Sequence, residues 1–269
     1  MLCNSLLSRF ANQKNIKKRG NEIMQGLVLV GSAIKPESVK VQTLLENPTV
    51  ANMVKKIKQY RDFADHELEV FDAYQFEGKI KDRENSLKRG EGAVLALKDQ
   101  SVSLNILFAE SGQEKQVHIT GFVIQEDNDK QYFYKFQAKG QDIKLVLATE
   151  FDGKIKEQYL SNFDQKLFKY DENFKYGILD NENEVEAHIS WKDGCLPGGY
   201  KWCGGKCHNY PDSGGDGSVI NEVDACCMLH DYCYRYDWNT VDGCDDSLCE
   251  CVKPYSYWAA LFIQLYFCD

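Results

Sequence analysis

Cysteine is nearly missing from the first 194 residues of this 269-residue chain: Cys3 stands alone there, and the other ten of its 11 cysteines fall in the last 75 residues. Basic residues are also in deficit, with 32 Lys and Arg against 41 Asp and Glu and a net charge of −9, a balance that disfavours nucleic acid as a partner. No apolar run approaches the roughly 20 residues of a membrane-spanning helix. Upstream of Cys195 there is no phosphate-cradling glycine loop and no Ser/His/Asp arrangement. His66, His118 and His188 are isolated there and read as surface or sheet residues. The chemistry has to be sought in the cysteine-rich end.

So dense a group of cysteines in a short segment reads as a disulfide scaffold, because a unit of this size cannot bury enough apolar surface to stand without staples. Such a scaffold belongs in an oxidising compartment. Its centre is Cys226-Cys227-Met228-Leu229-His230-Asp231-Tyr232-Cys233-Tyr234, read with Cys244-Asp245-Asp246-Ser247-Leu248-Cys249-Glu250-Cys251. Cys226 and Cys233 are seven residues apart, as are Cys244 and Cys251, and in a helix that spacing puts each pair on one face. If the two stretches are antiparallel helices, the register pairs Cys226 with Cys251 and Cys233 with Cys244. His230 shares the bridged seam and faces the partner helix. Asp245 falls within roughly 3 Å of axial rise of its level, near enough for a carboxylate to hold one imidazole nitrogen and leave the other as a base. Asp231, turned about 100° from His230, points to a different neighbour. Upstream, Gly198-Gly199-Tyr200-Lys201-Trp202-Cys203-Gly204-Gly205-Lys206 can turn several backbone carbonyls inward, as a hard cation requires, and a Ca²⁺ site is expected there. His208 beside Cys207 also admits a zinc reading, which would compete with the bridges.

Through CCMLHDYCY at 226–234 and the Trp202-Cys203-Gly204 loop, the last 75 to 80 residues resemble the secreted phospholipases A2. Asp224-Ala225-Cys226-Cys227 and Cys244-Asp245-Asp246 are most similar to the bee-venom type and the short bacterial members. The resemblance implies that His230 is the general base on a water attacking the sn-2 ester of a glycerophospholipid. It makes Asp245 the group that orients and stabilises the imidazolium, with Tyr234 supporting that aspartate. Ca²⁺ would be held by the Asp231 carboxylate and the carbonyls of Trp202, Gly204 and Lys206. The Gly204 N–H would be a second oxyanion donor beside the ion. The resemblance further implies a Cys203–Cys227 bridge tying the loop to the helix, and a phospholipid membrane surface as partner. Cys195, Cys207, Cys249 and Cys268 would make two more bridges of open pairing. Two departures stand out: Lys206 replaces the usual glycine, and the short link from Tyr236 to Gly243 leaves no room for the β-hairpin of larger animal members.

The preceding chain reads as α+β. Ile23 to Ile34, apolar and preceded by Lys17-Lys18-Arg19, is either an export signal with a long basic lead or a short buried strand or helix. From Pro48 to about Leu87 the spacing of Val50, Met53, Val54, Ile57 and Tyr60, continued by Leu68, Phe71 and Tyr74, predicts helix, with Thr49 as N-cap. After Gly90 and Gly92 the period becomes two. Val102, Leu104, Ile106 and Phe108 begin an antiparallel meander, with turns at Ser111-Gly112, Asp127-Asn128-Asp129 and Lys139-Gly140, weakening toward Ser190. The expected architecture is α+β in two domains: a segment of uncertain role at 1–47, a helix plus antiparallel β domain at 48–190, and a disulfide-rich α domain with two antiparallel helices at 191–269. Asn221 is the expected N-cap of the first of these helices, with Glu222 and Asp224 at its positive end. The aromatic tail Tyr255 to Phe267 is either a lipid-interface platform or a packing element.

The β domain carries no motif of its own. A propeptide or inhibitor masking the site, an export carrier and a target-binding module are its candidate roles. For the whole chain, a secreted calcium-dependent phospholipid hydrolase leads. Behind it stand a membrane- or receptor-binding toxin module of the same fold, a zinc module in a reducing cytosol, and a structural protein.

Overall fold

The computed structural model describes residues 27–80, 83–164, 166–180, 195–196, 199–204, 207, 217–236 and 238–268. The expectations for Cys3, His188, Lys206, His208, the boundary at 191–194 and the loop at 208–216 lie outside these residues.

Seven strands form one sheet: β1 (Leu27–Ala33), β2 (Glu69–Ile80), β3 (Lys88–Ala96), β4 (Val102–Ser111), β5 (Glu114–Asp127), β6 (Lys130–Lys139) and β7 (Asp142–Glu150). They lie in sequence order, each antiparallel to the next. Local chemistry sets the turns. Asp127 pairs with Lys130 across a two-residue connection whose Asn128 and Asp129 both take positive φ, 48° and 65°. Asn and Asp tolerate that conformation, and its twist matches the flanking strands.

Helices α1 (Val39–Leu45) and α2 (Pro48–Ile57) cover one face. Val50, Met53 and Ile57 pack there with Leu104, Ile119 and Phe136. Gly121 permits this close approach, because a Cβ at that position would run into the side chains of Ile57 and Met53. The N-cap of α2 is Asn47, whose side chain accepts from Thr49 N, so Thr49 occupies the first turn instead of the cap.

The helix expected to run to about Leu87 ends at Ile57, and β2 begins at Glu69. Strand β2 is buried on both faces over most of its length. Its apolar residues do not alternate, because Asp72 and Glu77 are buried within it and the pairing slips between Val70 and Asp72, so Leu68, Phe71 and Tyr74 fall three apart as they would on a helix. The meander in turn stops at Glu150. Gly153–Ser161 is helix α3, whose Tyr159 packs with Phe122, Phe133 and Phe151. Strand β1, from the segment set apart at 1–47, is hydrogen-bonded along β2 and belongs to the same sheet.

The cysteine-rich region adds α4 (Glu222–Arg235), α5 (Val241–Val252) and α6 (Trp258–Phe267). Five bridges staple it: Cys195–Cys207, Cys203–Cys227, Cys226–Cys251, Cys233–Cys244 and Cys249–Cys268. The middle pairs make α4 and α5 antiparallel neighbours, and the last clamps the end of α6 to α5. Bridges in this number fit an oxidising, extracellular environment.

Helix α6 joins the two halves of the molecule. Residues Ala259 to Tyr266 are all buried in one core shared by strand side chains such as Tyr74 and Phe76 and by the bridged cysteines. The Phe262 ring lies 5.0 Å from that of Phe76, edge to face. A Cβ on Gly78 would collide with the Tyr266 hydroxyl, so glycine lets the helix lie flat on β2. Lys135, buried in β6, donates from Nζ to Lys253 O at 2.9 Å and to Tyr255 O at 2.7 Å, pinning the corner before α6. Of the two roles open for the aromatic tail, α6 takes the packing one. No helix among the described residues is long and apolar enough to cross a membrane.

Candidate functional site

The site is built on the bridged helix pair. Asn221 caps α4 by accepting from Asp224 N, and Thr240 caps α5 by accepting from Gly243 N. Bridges Cys226–Cys251 and Cys233–Cys244 hold the two backbones at Cα separations of 5.8 Å each. His230 projects into the seam between them, and its Nε2 lies 2.9 Å from Asp245 Oδ1. Both side chains are almost fully enclosed, at 4% and 5% exposure. Rings fix the imidazole on two sides: Tyr234 at 4.6 Å and Phe267, from the end of α6, at 5.3 Å. With Nε2 committed to the carboxylate, any base chemistry falls to Nδ1.

Asp245 has three partners. Its Oδ1 accepts from His230 and, at 2.6 Å, from the Tyr234 hydroxyl. Its Oδ2 accepts from Arg83 Nη2 at 3.0 Å. Burial alone would raise this carboxyl, but the hydrogen bonds from His230 and Tyr234 and the charges of His230 and Arg83 outweigh it and hold the acid below its ordinary value. The site carboxylate therefore stays ionised. The Tyr234 hydroxyl is driven the other way, by burial and by its bond to Asp245, and remains a donor.

Asp231 points away from this pair, as its helical position requires. Its Oδ2 is buried and is one of two such side-chain atoms without a hydrogen-bond partner among the described residues. Burial, then the nearby charge of Asp224, pushes its carboxyl well above the ordinary range. A buried carboxylate oxygen without a donor is costly, and a hard cation is a partner that would offset both the missing hydrogen bond and the shift.

The glycine-rich loop is tied to α4 beside it. Fully buried Asp224 accepts at Oδ1 from Trp202 N at 2.8 Å, Lys201 N at 3.0 Å and Cys203 N at 3.3 Å. Its Oδ2 accepts from Ile220 N at 3.2 Å. Bridge Cys203–Cys227 adds a covalent tie, and the Trp202 indole donates to Gly217 O while its ring meets Tyr232. Gly204 takes a φ of +134° that only glycine adopts readily, and its carbonyl receives Cys207 N at 3.4 Å, which leaves a second lone pair. One carboxylate and a loop of backbone oxygens match calcium chemistry better than zinc chemistry. Among the described residues no group of three or more His, Cys, Asp or Glu could hold a metal. The zinc reading of Cys207 and His208 fails on the cysteine, which is bridged to Cys195.

Sequence reasoning missed Arg83 and the loop-anchoring role of Asp224. Arg83 lies 162 residues from its partner in a connection with no motif, so nothing in the sequence marks it. Asp224 carried a signal, an acidic residue two before the Cys226-Cys227 pair, which the helix-end argument used only for its charge. No protein-family model matches the chain, and no solved structure matches it.

Proposed function

We propose that the chain is a secreted, calcium-dependent phospholipase A2 that cleaves the sn-2 ester of glycerophospholipids at a membrane surface. The observation that carries this reading is the His230 Nε2 contact to Asp245 Oδ1 on a doubly bridged helix pair, with the unpartnered Asp231 oxygen at the next position.

In this mechanism His230 Nδ1 takes a proton from a water as the water oxygen attacks the ester carbonyl carbon. Asp245, kept ionised and supported by Tyr234, stabilises the imidazolium as it forms. The Gly204 N–H donates to the developing oxyanion. On collapse, the imidazolium returns its proton to the departing glycerol oxygen, giving a free fatty acid and a lysophospholipid with no covalent enzyme intermediate. The Asp231 carboxylate and the carbonyls of Trp202, Gly204 and Lys206 would hold Ca²⁺, which when bound supplies Lewis-acid polarisation of the ester.

A binding module of the same fold is the second reading. It is less well supported, since a pure binder has no use for a buried imidazole held by an ionised carboxylate. The test is fatty-acid release from phospholipid vesicles in calcium or in EGTA, with His230→Gln beside the natural chain. The expected result is release that needs calcium and falls by about 10²- to 10⁴-fold in the variant at unchanged melting temperature. Release that persists in EGTA, or in the variant, overturns the proposal. Vesicle binding without release favours the module.

A further inference from the structure

We propose that Arg83, on the β2–β3 connection of the sheet, is a positioning residue of the His230–Asp245 pair, so that the sheet supplies part of the hydrolytic device. The inference rests on the phospholipase reading and extends it to a part of the chain that the resemblance does not cover.

Both oxygens of Asp245 are assigned. Oδ1 serves His230 and Tyr234 from α4, and Oδ2 is held by Arg83. A carboxylate gripped at one oxygen can still turn about its Cβ–Cγ bond. One gripped at both has a fixed plane, and the imidazole bonded to it inherits that orientation. Without Arg83, Oδ2 would sit in a side chain only 5% exposed with no donor supplied by α4.

The connection is built to present this arginine. Arg83 N closes a turn onto Ile80 O at 3.3 Å. The Ser86 hydroxyl, buried beneath it, accepts from Ile80 N at 3.0 Å and lies 2.8 Å from Arg83 O. Asn85 takes a φ of 58°, reversing the chain into β3. At the same end of this strand pair, where β3 begins opposite Gly78, Lys88 donates to Leu265 O in α6. The helix whose Phe267 covers His230 and the turn whose Arg83 holds Asp245 are therefore both fixed to the turn end of the β2–β3 pair.

The test compares Arg83→Gln, Arg83→Met and Arg83→Lys in the full chain. The kinetic readout is fatty-acid release. The imidazolium forms only on the way to the transition state, so loss of the guanidinium should lower kcat by about 10- to 100-fold while KM stays within about twofold. Lys, which keeps the charge, should recover most of that loss. The second readout is independent of lipid: the low-field, exchange-protected N–H proton of the His230 imidazole by NMR, which should broaden or vanish in the Gln and Met variants and persist in the Lys variant. Met keeps the apolar stem and serves if the Gln chain does not fold. A folded Gln or Met variant with natural kcat and an unchanged imidazole resonance overturns the proposal. If the natural chain releases no fatty acid, the phospholipase reading fails, and the resonance comparison still decides whether Arg83 orders the pair.

Discussion

Asp224 is the sharpest place to test how the glycine-rich loop is held. As a helix-end charge alone, its neutralisation would cost about 0.3–1 kcal/mol. The hydrogen bonds imply more. Asp224→Asn keeps one acceptor oxygen and puts an amide where Oδ2 now receives Ile220 N, so two donors would face each other and one N–H would lose its partner, at about 1–3 kcal/mol. The three bonds from Lys201, Trp202 and Cys203 to Oδ1 would weaken from charge-assisted to neutral strength, by about 1 kcal/mol each. Against this, a fully buried charge is removed. The balance is a loss of about 2–4 kcal/mol, or roughly 5–12 °C in melting temperature for a chain of this size. The assay is thermal unfolding of the oxidised protein, with calcium titration by calorimetry alongside. The variant should keep all five bridges, melt early and bind calcium more weakly. A drop no larger than about 2 °C, the scale of a helix-end effect, would refute the anchoring argument.

Asp231→Asn removes an unpartnered buried carboxylate oxygen, so the variant should melt no lower than the natural chain in EGTA and should lose the upward shift that saturating calcium gives, about 2.7 kcal/mol at a hundredfold excess over Kd. A calcium shift of natural size in the variant would reject Asp231 as a ligand. His118 lines an 830 Å³ cleft between the sheet and the helices α5 and α6, where burial and then the charge of Lys88 push its imidazole down to about 4. Since the unfolded value is about 6.5, the unfolded chain binds a proton between pH 6.5 and 4 that the folded chain does not, and stability falls on acidification through that window. Discounted for partial exposure, the loss is about 1–2 kcal/mol, and His118→Gln should flatten that part of a denaturation-midpoint series. A series unchanged by the substitution would discard the assignment.

The parts of the fold legible in the sequence are those under strict local or covalent constraint. Strands β4 to β7 alternate or end in turn residues such as Asn128-Asp129, and the α4–α5 pair is set by cysteine spacing that only two stapled faces satisfy. Strand β2 was illegible because buried Asp72 and Glu77 and the register shift after Val70 break the alternation that marks a strand. Helix α6 read ambiguously for a different reason: it is apolar nearly all round, which fits a core element and a lipid surface equally until the sheet is seen against it. Within the site, His230, Asp245 and Tyr234 come together from two neighbouring helices, so helical geometry alone could juxtapose them. Arg83 could not be found, because its contact depends on how a β-turn meets a helix pair through the shared core. Asp224 was visible as a charge but not as a loop anchor, since its partners are backbone N–H groups that every sequence carries.

The shared core also bears on whether the sheet acts as a removable mask. A mask covers a site and leaves a finished enzyme behind when it departs. Here Phe262 packs on Phe76 and Tyr74, and Tyr266 reaches Lys88 O in β3. Stripping the sheet away would return these two aromatic side chains to water at about 2–3 kcal/mol each, a large share of the 5–15 kcal/mol that holds an ordinary domain together. Phe267, which closes one side of His230, sits on the same helix. Bridges would keep α4 and α5 paired, but α6 would lose the surface that orders it and Asp245 would lose Arg83. A fragment spanning 191–269, refolded with its bridges, should therefore release less fatty acid per mole than the intact chain and expose enough apolar surface to bind a hydrophobic dye. A fragment more active than the whole would mean that the sheet restrains the site instead of completing it.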